Sequence, residues 1–218
     1  AARIEDLTDV KGSRSNQLYG YGIVTGLAGQ GDSRIEYTEL GILNALERLG
    51  IRADKADKSR NIAAVMVTAD IGPFAKNGSK IDVTVSSIGN ADSLQGGILL
   101  QTALEGADGN VYAVAQGPVS VGGLSAGNAG GANVQVNHPT VGIVSNGALV
   151  EKEIDTQIIS NGSIDLILRS PDSMTAVKVA DAINKYYPGT SLANDGGVVN
   201  VRLPREFLGQ TTNFLAAI

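Results

Sequence analysis

Between Leu18 and Leu27 apolar residues alternate loosely with glycine, and the pattern predicts a strand that enters a turn over 28–34. The period then changes. In TELGILNALERLG, residues 38–50, Ile42, Leu43, Leu46 and Leu49 recur at helical spacing, with Thr38 placed to cap the start and Gly50 to take the left-handed stop. NIAAVMVTADI, residues 61–71, is nearly continuous in small apolar side chains, as a strand covered on both faces would be. KIDVTVSSI, residues 80–88, alternates Ile81, Val83 and Val85 with Asp82, Thr84 and Ser86, which predicts a strand wet on one side. Asn77-Gly78 between the two is a hairpin signal. Strand, helix, strand, strand reads as a small α/β sandwich.

From 97 to 154 the helical period vanishes. Four strand-like runs, GGILLQTAL, NVYAVAQGPVSV, ANVQV and GALVEKEI, are separated by Asp108-Gly109, a loose small-residue segment at 122–133 and Asn146-Gly147. The 122–133 segment is uncharged and rich in glycine, so a flexible loop is expected there. SIDLILR (163–169), a helical pattern over 174–187 and VVNVRLP (198–204) form a second strand–helix–strand unit. Asp172 or Ser173 is placed to cap that helix, Val177, Ala180 and Ile183 to face its core, and Pro188-Gly189 to end it; TTNFLAAI begins one more helix. The fold class is therefore α+β or α/β: a strand–helix–strand–strand unit with an antiparallel β-rich region, followed by a second strand–helix–strand unit. The expected domains are residues 1–154 and 155–218.

Composition narrows the chemistry. The chain has 28 glycines, no Cys and no Trp, only six Tyr and three Phe, and a net charge of −5. A core without large rings is built from Val, Ile, Leu and Ala, which suits sheets. The missing basic field and stacking platforms argue against nucleic acid, and no apolar run reaches the ~18 residues of a membrane helix, so direct membrane insertion is not expected. Without cysteine there is no disulfide, no thiolate nucleophile and no Cys-based metal site. The opening AARIEDL, with small residues and no initiator Met, matches the product of signal-peptide cleavage, as it also would laboratory trimming.

Five glycines lie within GYGIVTGLAGQG, residues 20–31, and raise the question of phosphate binding. From Gly20 and Gly22 the third position of a dinucleotide fingerprint is Thr25. Gly26 to Gly31 has phosphate-loop spacing, but Asp32 and Ser33 follow where Lys and Ser/Thr are needed, and a carboxylate repels phosphate. The glycines have another purpose.

Candidate catalytic groups are few. His138, the only histidine, sits beside Pro139 and reads as a turn residue; one His without Cys cannot assemble a zinc site, and no Gly-x-Ser-x-Gly elbow occurs. Glu151, Glu153 and Asp155 would share one strand face but lack EF-hand spacing, so a solvated face is the simpler reading. Asp54 and Asp57, interleaved with Lys55 and Lys58, form a charged connector. No catalytic, cofactor-binding or metal-binding residue is assigned. Arg60 precedes the 61–69 strand, and Lys76 and Lys80 flank its turn, near opposite ends of one hairpin. They read either as solubilising charges at strand ends or as a shallow positive patch for an acidic protein partner.

RIEDLTDVKGSRSNQLYGYGIVTGLAGQGD, then NIAAVMVTADIGPFAKNGSKIDVTVSSIGNADSLQGGILLQTALEGADGNVYAVAQGPVSVGG, then VNHPTVGIVSNGALVEKEI, closely resemble the bacterial flagellar P-ring proteins, in order and across essentially the whole chain. The resemblance implies a structural, non-catalytic protein without cofactor, exported to the periplasm by a cleaved signal peptide. It implies many copies assembled into a ring in the peptidoglycan layer, which with the outer-membrane L ring acts as a bushing for the rotating flagellar rod and supports motility. The implied partners are further copies of itself, the rod, the L-ring protein and peptidoglycan. Glycines near a subunit seam and open strand edges would suit such assembly. The family carries basic residues that face the rod, one of which matches Arg60. Others lie in a GNAKSLRGG-like loop, which here reads GNADSLQGG, with Asp92 and Gln95 in place of Lys and Arg. From another class, a periplasmic small-ligand-binding protein or enzyme using a cleft between the two units is the alternative.

Overall fold

The structure, a computed structural model, describes residues 2–33, 35–54, 59–122 and 138–218. The loop expected over 122–133, beyond Gly122, the strand-like run ANVQV, and Lys55, Asp57 and Lys58 lie outside the described residues. Along the chain come α1 (Ile4–Leu7), β1 (Thr8–Val10), β2 (Asn16–Thr25), α2 (Glu36–Arg48), β3 (Ala63–Ile71), β4 (Lys80–Ser87), β5 (Ile98–Glu105), β6 (Val111–Pro118) and β7 (Val141–Val150). There follow β8 (Ser163–Leu168), α3 (Ser173–Tyr186), β9 (Ser191–Ala193), β10 (Val198–Arg202), a 3₁₀ turn (Arg205–Phe207) and α4 (Thr211–Ala217). The architecture is α+β, in two compact units: Ser15–Ile154, and residues 1–14 together with Asp155–Ile218.

In the first of these units the strands close into an antiparallel barrel in the order β2-β3-β4-β7-β6-β5. The expected α/β sandwich and the β-rich region after it are thus one sheet, closed where β5 meets β2. Because side chains alternate across a strand, each strand sends one set inward. Ala63, Ala64 and Val65 are all buried, so β3 starts covered on both faces as expected; beyond them Val67, Ala69 and Ile71 are buried while Met66, Thr68 and Asp70 are exposed, and the rest of the strand is covered on one face only. The interior is filled by small aliphatics such as Val83, Val85, Leu99, Leu104, Ala113 and Val144, consistent with a chain short of rings.

The closing seam explains part of the glycine cluster. β2 and β5 pair at Tyr19↔Glu105 and at Val24↔Leu99, with the register interrupted between. Inside that gap a Cβ on Gly20 would stand 2.3 Å from the Ala103 carbonyl oxygen. This glycine therefore serves closure of the barrel within the chain. Asn146-Gly147, expected as a turn, is instead a bulge inside β7: Val83↔Val144 and Ile81↔Ala148 leave four steps on β7 against two on β4. Asn146 takes a positive φ of 50°, and its N–H is held by Asp82 Oδ1 at 2.7 Å.

Helix α2 lies on the outside of the barrel, with Gly41 against Ile23 and the Tyr21 hydroxyl. Its stop is the expected one: Gly50 has φ 80°, its N–H reaches Glu47 O and that of Ile51 reaches Leu46 O, a Schellman pattern. Leu49 falls beyond the last helical residue and is 74% exposed, so it leaves the apolar face on which Ile42, Leu43 and Leu46 are partly buried. Thr38 is not the cap either. Ile35 holds that position, and Thr38 turns inward to Asp32.

The remaining unit is a four-stranded antiparallel sheet, β1-β8-β10-β9, with α3 and α4 on one face. Its edge strand β1 comes from the N-terminal residues, so the expected division into 1–154 and 155–218 is replaced by one in which residues 1–14 belong with the C-terminal part. Asp172 caps α3 through Thr175 N at 2.8 Å, and Ala176, Val179, Ala180 and Ile183 face the core; Val177, expected inside, is 50% exposed. Phe214 of α4 is fully buried, with the Tyr187 and Phe207 rings 5.4 and 5.2 Å away.

Among the described residues, strand edges that could join copies are partly covered by the chain itself. The barrel closes on itself. At β9, Asn184 acts as a surrogate strand: Ser191 N donates to its Oδ1 at 2.9 Å and its Nδ2 donates to Ser191 O at 2.8 Å. At β1, Thr8 N–H is taken by Ile4 O and the Val10 carbonyl by Ser13 N–H. Groups covered in this way are withdrawn from unplanned sheet addition.

Candidate functional site

Strand direction sorts the candidate cations. β2 and β4 run toward the barrel end from which β3 starts, so the segments 26–33, 59–62 and 88–97 gather at that end with Arg60. Lys76 and Lys80, flanking the β3–β4 turn, belong to the opposite end. The three side chains do not form one patch.

At the Arg60 end the loops are bonded to one another. Arg60 has φ 55°, a left-handed conformation unusual for a side chain of its size. It is held there from both sides: Gly31 N–H donates to Arg60 O at 2.6 Å, and Arg60 Nε donates to Gly31 O at 3.1 Å. A Cβ on Gly31 would stand 2.3 Å from Ile62 O, so only glycine admits this approach. Arg60 Nη2 then donates to Asp92 Oδ2 at 3.0 Å. Asp92 N–H donates to Gln30 O, and Asn90 brackets Ser33, accepting from its N–H at 2.8 Å and donating to its Oγ at 2.9 Å. Beneath this surface Ala91 and Leu94 are buried and stopper the barrel core.

Asp32 lies at the centre. It is 6% exposed, and its Oδ2 accepts from Thr38 Oγ1 at 2.7 Å and from Ala64 N at 2.8 Å. Two tyrosines extend the network: Tyr21 OH donates to Tyr37 O and Tyr37 OH to Ile88 O. Partial burial, then the negative charge of Asp32, push the Tyr21 phenol above its ordinary pKa. In the sequence Asp32 serves only to exclude a phosphate loop. It precedes the Ile35 N-cap by three residues, outside the first turn where acidic side chains are favoured, so no local pattern marked it.

The opposite end is also tied down, by other means. Lys76 Nζ lies 3.9 Å from Glu153 Oε2, Asn77 N donates to Glu153 Oε1 and Gly78 N to Val150 O. β7 stops at Val150, so Glu151, Glu153 and Asp155 lie past its end and do not line one strand face. Lys152 stands 5.4 Å over the Tyr112 ring. In the β5–β6 turn, hydrogen bonds from the Tyr112 hydroxyl and from Asn110 hold the Asp108 carboxyl down to about 2, and the bond to Asp108 raises the Tyr112 phenol. Among the described residues no three His, Cys, Asp or Glu side chains converge as a metal site. His138 is exposed, its carbonyl accepting from Val141 N. A groove of about 770 Å³ on the outer wall of β2, β3, β4 and β7 holds two carboxylates, Asp70 and Asp82, with no basic residue in its lining among the described residues.

The family model described as "Flagellar P-ring protein" matches residues 3–218. The chain belongs to the flagellar P-ring protein family. Among curated relatives, the flagellar P-ring proteins of Anaeromyxobacter dehalogenans, Vibrio vulnificus and Syntrophotalea carbinolica are 51%, 50% and 48% identical to it. These alignments cover 99–100% of the chain and 59–60% of each relative. The chain therefore spans about three-fifths of the length of the P-ring proteins it matches. Among the described residues no helix is long and apolar enough to cross a membrane.

Proposed function

We propose that this chain is a structural, non-catalytic part of a subunit of the flagellar basal-body P ring in the periplasm. Copies associate into a ring that steadies the rotating rod, in company with the L ring and the peptidoglycan layer, and so supports motility. The observation that carries this reading is the match over residues 3–218, at about 50% identity to proteins named for that ring. The geometry is consistent with mechanical work: two folds, each tied together by hydrogen bonds between its own segments.

Within this reading Arg60 faces the rod. Its charge is not free, because Asp92 stands where the family pattern has lysine and pairs with it. Asp92 is 68% exposed, and an exposed ion pair of this kind contributes only ~0–1 kcal/mol. An acidic group on the partner displaces Asp92 at little cost, and the contact that results is weak. Weak contact suits a surface past which another part must slide. Lys76 and Lys80, at the other end of the barrel, are proposed to serve contacts with other neighbours.

The test is a strain whose full-length protein carries Arg60→Glu. Loss of rings around the rod and of swimming, with unchanged circular dichroism and melting of the purified chain, is expected. Normal swimming removes Arg60 from the rod contact. Full-length protein that stays monomeric at high concentration, with no rings by electron microscopy, counts against the ring itself.

A further inference from the structure

We infer that Asp32 is the positioning residue of the Arg60 end: one buried carboxylate oxygen ties the 31–33 loop to α2 and to the start of β3, and the 88–92 loop packs over the other oxygen, giving a preformed surface. The residue matters for the ring only if the proposed function is right, but its positioning role stands on the hydrogen bonds alone.

Both donors converge on the same oxygen. Oδ2 accepts from the Ala64 amide at the start of β3 and from the Thr38 hydroxyl of α2, while Oδ1 has no partner among the described residues and is covered by Gly89, where a Cβ would stand 2.3 Å away. Residues 31–33, 60–64 and 88–92 thus meet at one side chain. Asp32 N–H adds a bond to Ile62 O at 2.7 Å, so the 31–32 backbone is laid along 60–62. That alignment presents Gly31 N–H and O to Arg60 and keeps the arginine in its left-handed conformation, aimed at Asp92. A buried acceptor that loses its place releases donors which then lack partners, and the cost is local because the barrel ladder does not pass through Asp32.

Sharing of one oxygen makes a specific prediction. In Asp32→Asn the amide oxygen takes the place of Oδ2 and keeps both donors, with the NH₂ beside Gly89. In Asp32→Ala nothing accepts them. Amide hydrogen exchange on the 218-residue chain is expected to speed up in Asp32→Ala by on the order of tenfold or more at Gly31, Asp32, Ala64 and Asp92, since a bond to a charged group contributes ~1.5–3 kcal/mol. Amides of the β4–β7 ladder and of residues 155–218 are expected to be unchanged, and Asp32→Asn, whose neutral amide keeps both donors but binds them more weakly, to accelerate the same amides less than Asp32→Ala. If Asp32→Ala does not fold, Thr38→Val, which removes one of the two donors, should accelerate the same amides to a smaller extent. Unchanged exchange in Asp32→Ala, equal acceleration in Asp32→Asn, or in the fallback a Thr38→Val protein with parental rates, overturns the assignment.

Discussion

Gly20 lies against the carbonyl of Ala103, so close that a Cβ would come within 2.3 Å of the oxygen. The contact falls in the stretch where β2 and β5, the two strands that close the barrel, lose their regular pairing. Closure of a six-stranded sheet leaves little interior room, and here the last pair of strands meets partly by backbone contact instead of through side chains.

Gly20→Ala should therefore destabilise the chain by about 1–3 kcal/mol, the usual cost of forcing a methyl into packed structure. Gly72→Ala is the control: its Cβ would meet nothing within 4 Å, and a change within ~0.5 kcal/mol is expected. Urea unfolding monitored by circular dichroism measures both. A Gly20→Ala protein as stable as its parent would mean that the seam yields and that the glycine has another reason.

Arg169 grips Asp9 through Nε and Nη2, with Nη2–Oδ1 2.8 Å, and also reaches Asp6 O. The arginine's hydrogen bonds lower the Asp9 pKa from 3.8. A carboxyl whose pKa is depressed on folding contributes stability above its unfolded value, near pH 4, and that contribution disappears as pH falls through the folded value. NMR titration of the Asp9 carboxyl should give a midpoint below 3.8, and Arg169→Gln should return it toward 3.8. No movement in the variant excludes the arginine as the cause.

Asn184 is the side chain that closes β9, so Asn184→Leu should both weaken the unit and uncover an edge. The loss of two partly buried hydrogen bonds predicts ~1–3 kcal/mol of destabilisation. Light scattering should show concentration-dependent association that the parent chain lacks at the same concentration. A variant that remains as disperse as the parent argues that side chains around the edge, not the amide, prevent sheet addition.

The helices were the most legible elements. α2 and α3 follow from a 3.6-residue period plus local caps, Gly50 and Asp172, because a helix satisfies its backbone within its own segment. The family was legible as well, since long ordered similarity needs no geometry. Less could be read wherever the partner is remote. Thr68 and Asp70 look like a polar interruption of a buried strand, and Met66 like part of its core, until β3 is placed in a barrel with an outer wall. Asn146-Gly147 has the chemistry of a turn and became a bulge because β7 continues along β4 on both sides of it. Arg60 was visible as a cation but not as a partner of Asp92, 32 residues away.

Period, caps and composition by themselves determined that this protein has two amphipathic helices among many short strands, a core of small aliphatics and no cysteine chemistry. Those properties depend on neighbours within a few positions or on a simple count. Only the tertiary structure decided that six strands form a closed barrel, that residues 8–10 join a sheet with 163–168, and that Asp32 rather than Thr38 organises the start of α2. Such facts depend on which backbone donors and acceptors are left over when distant segments meet, and a buried polar group takes whichever partner the whole fold brings to it.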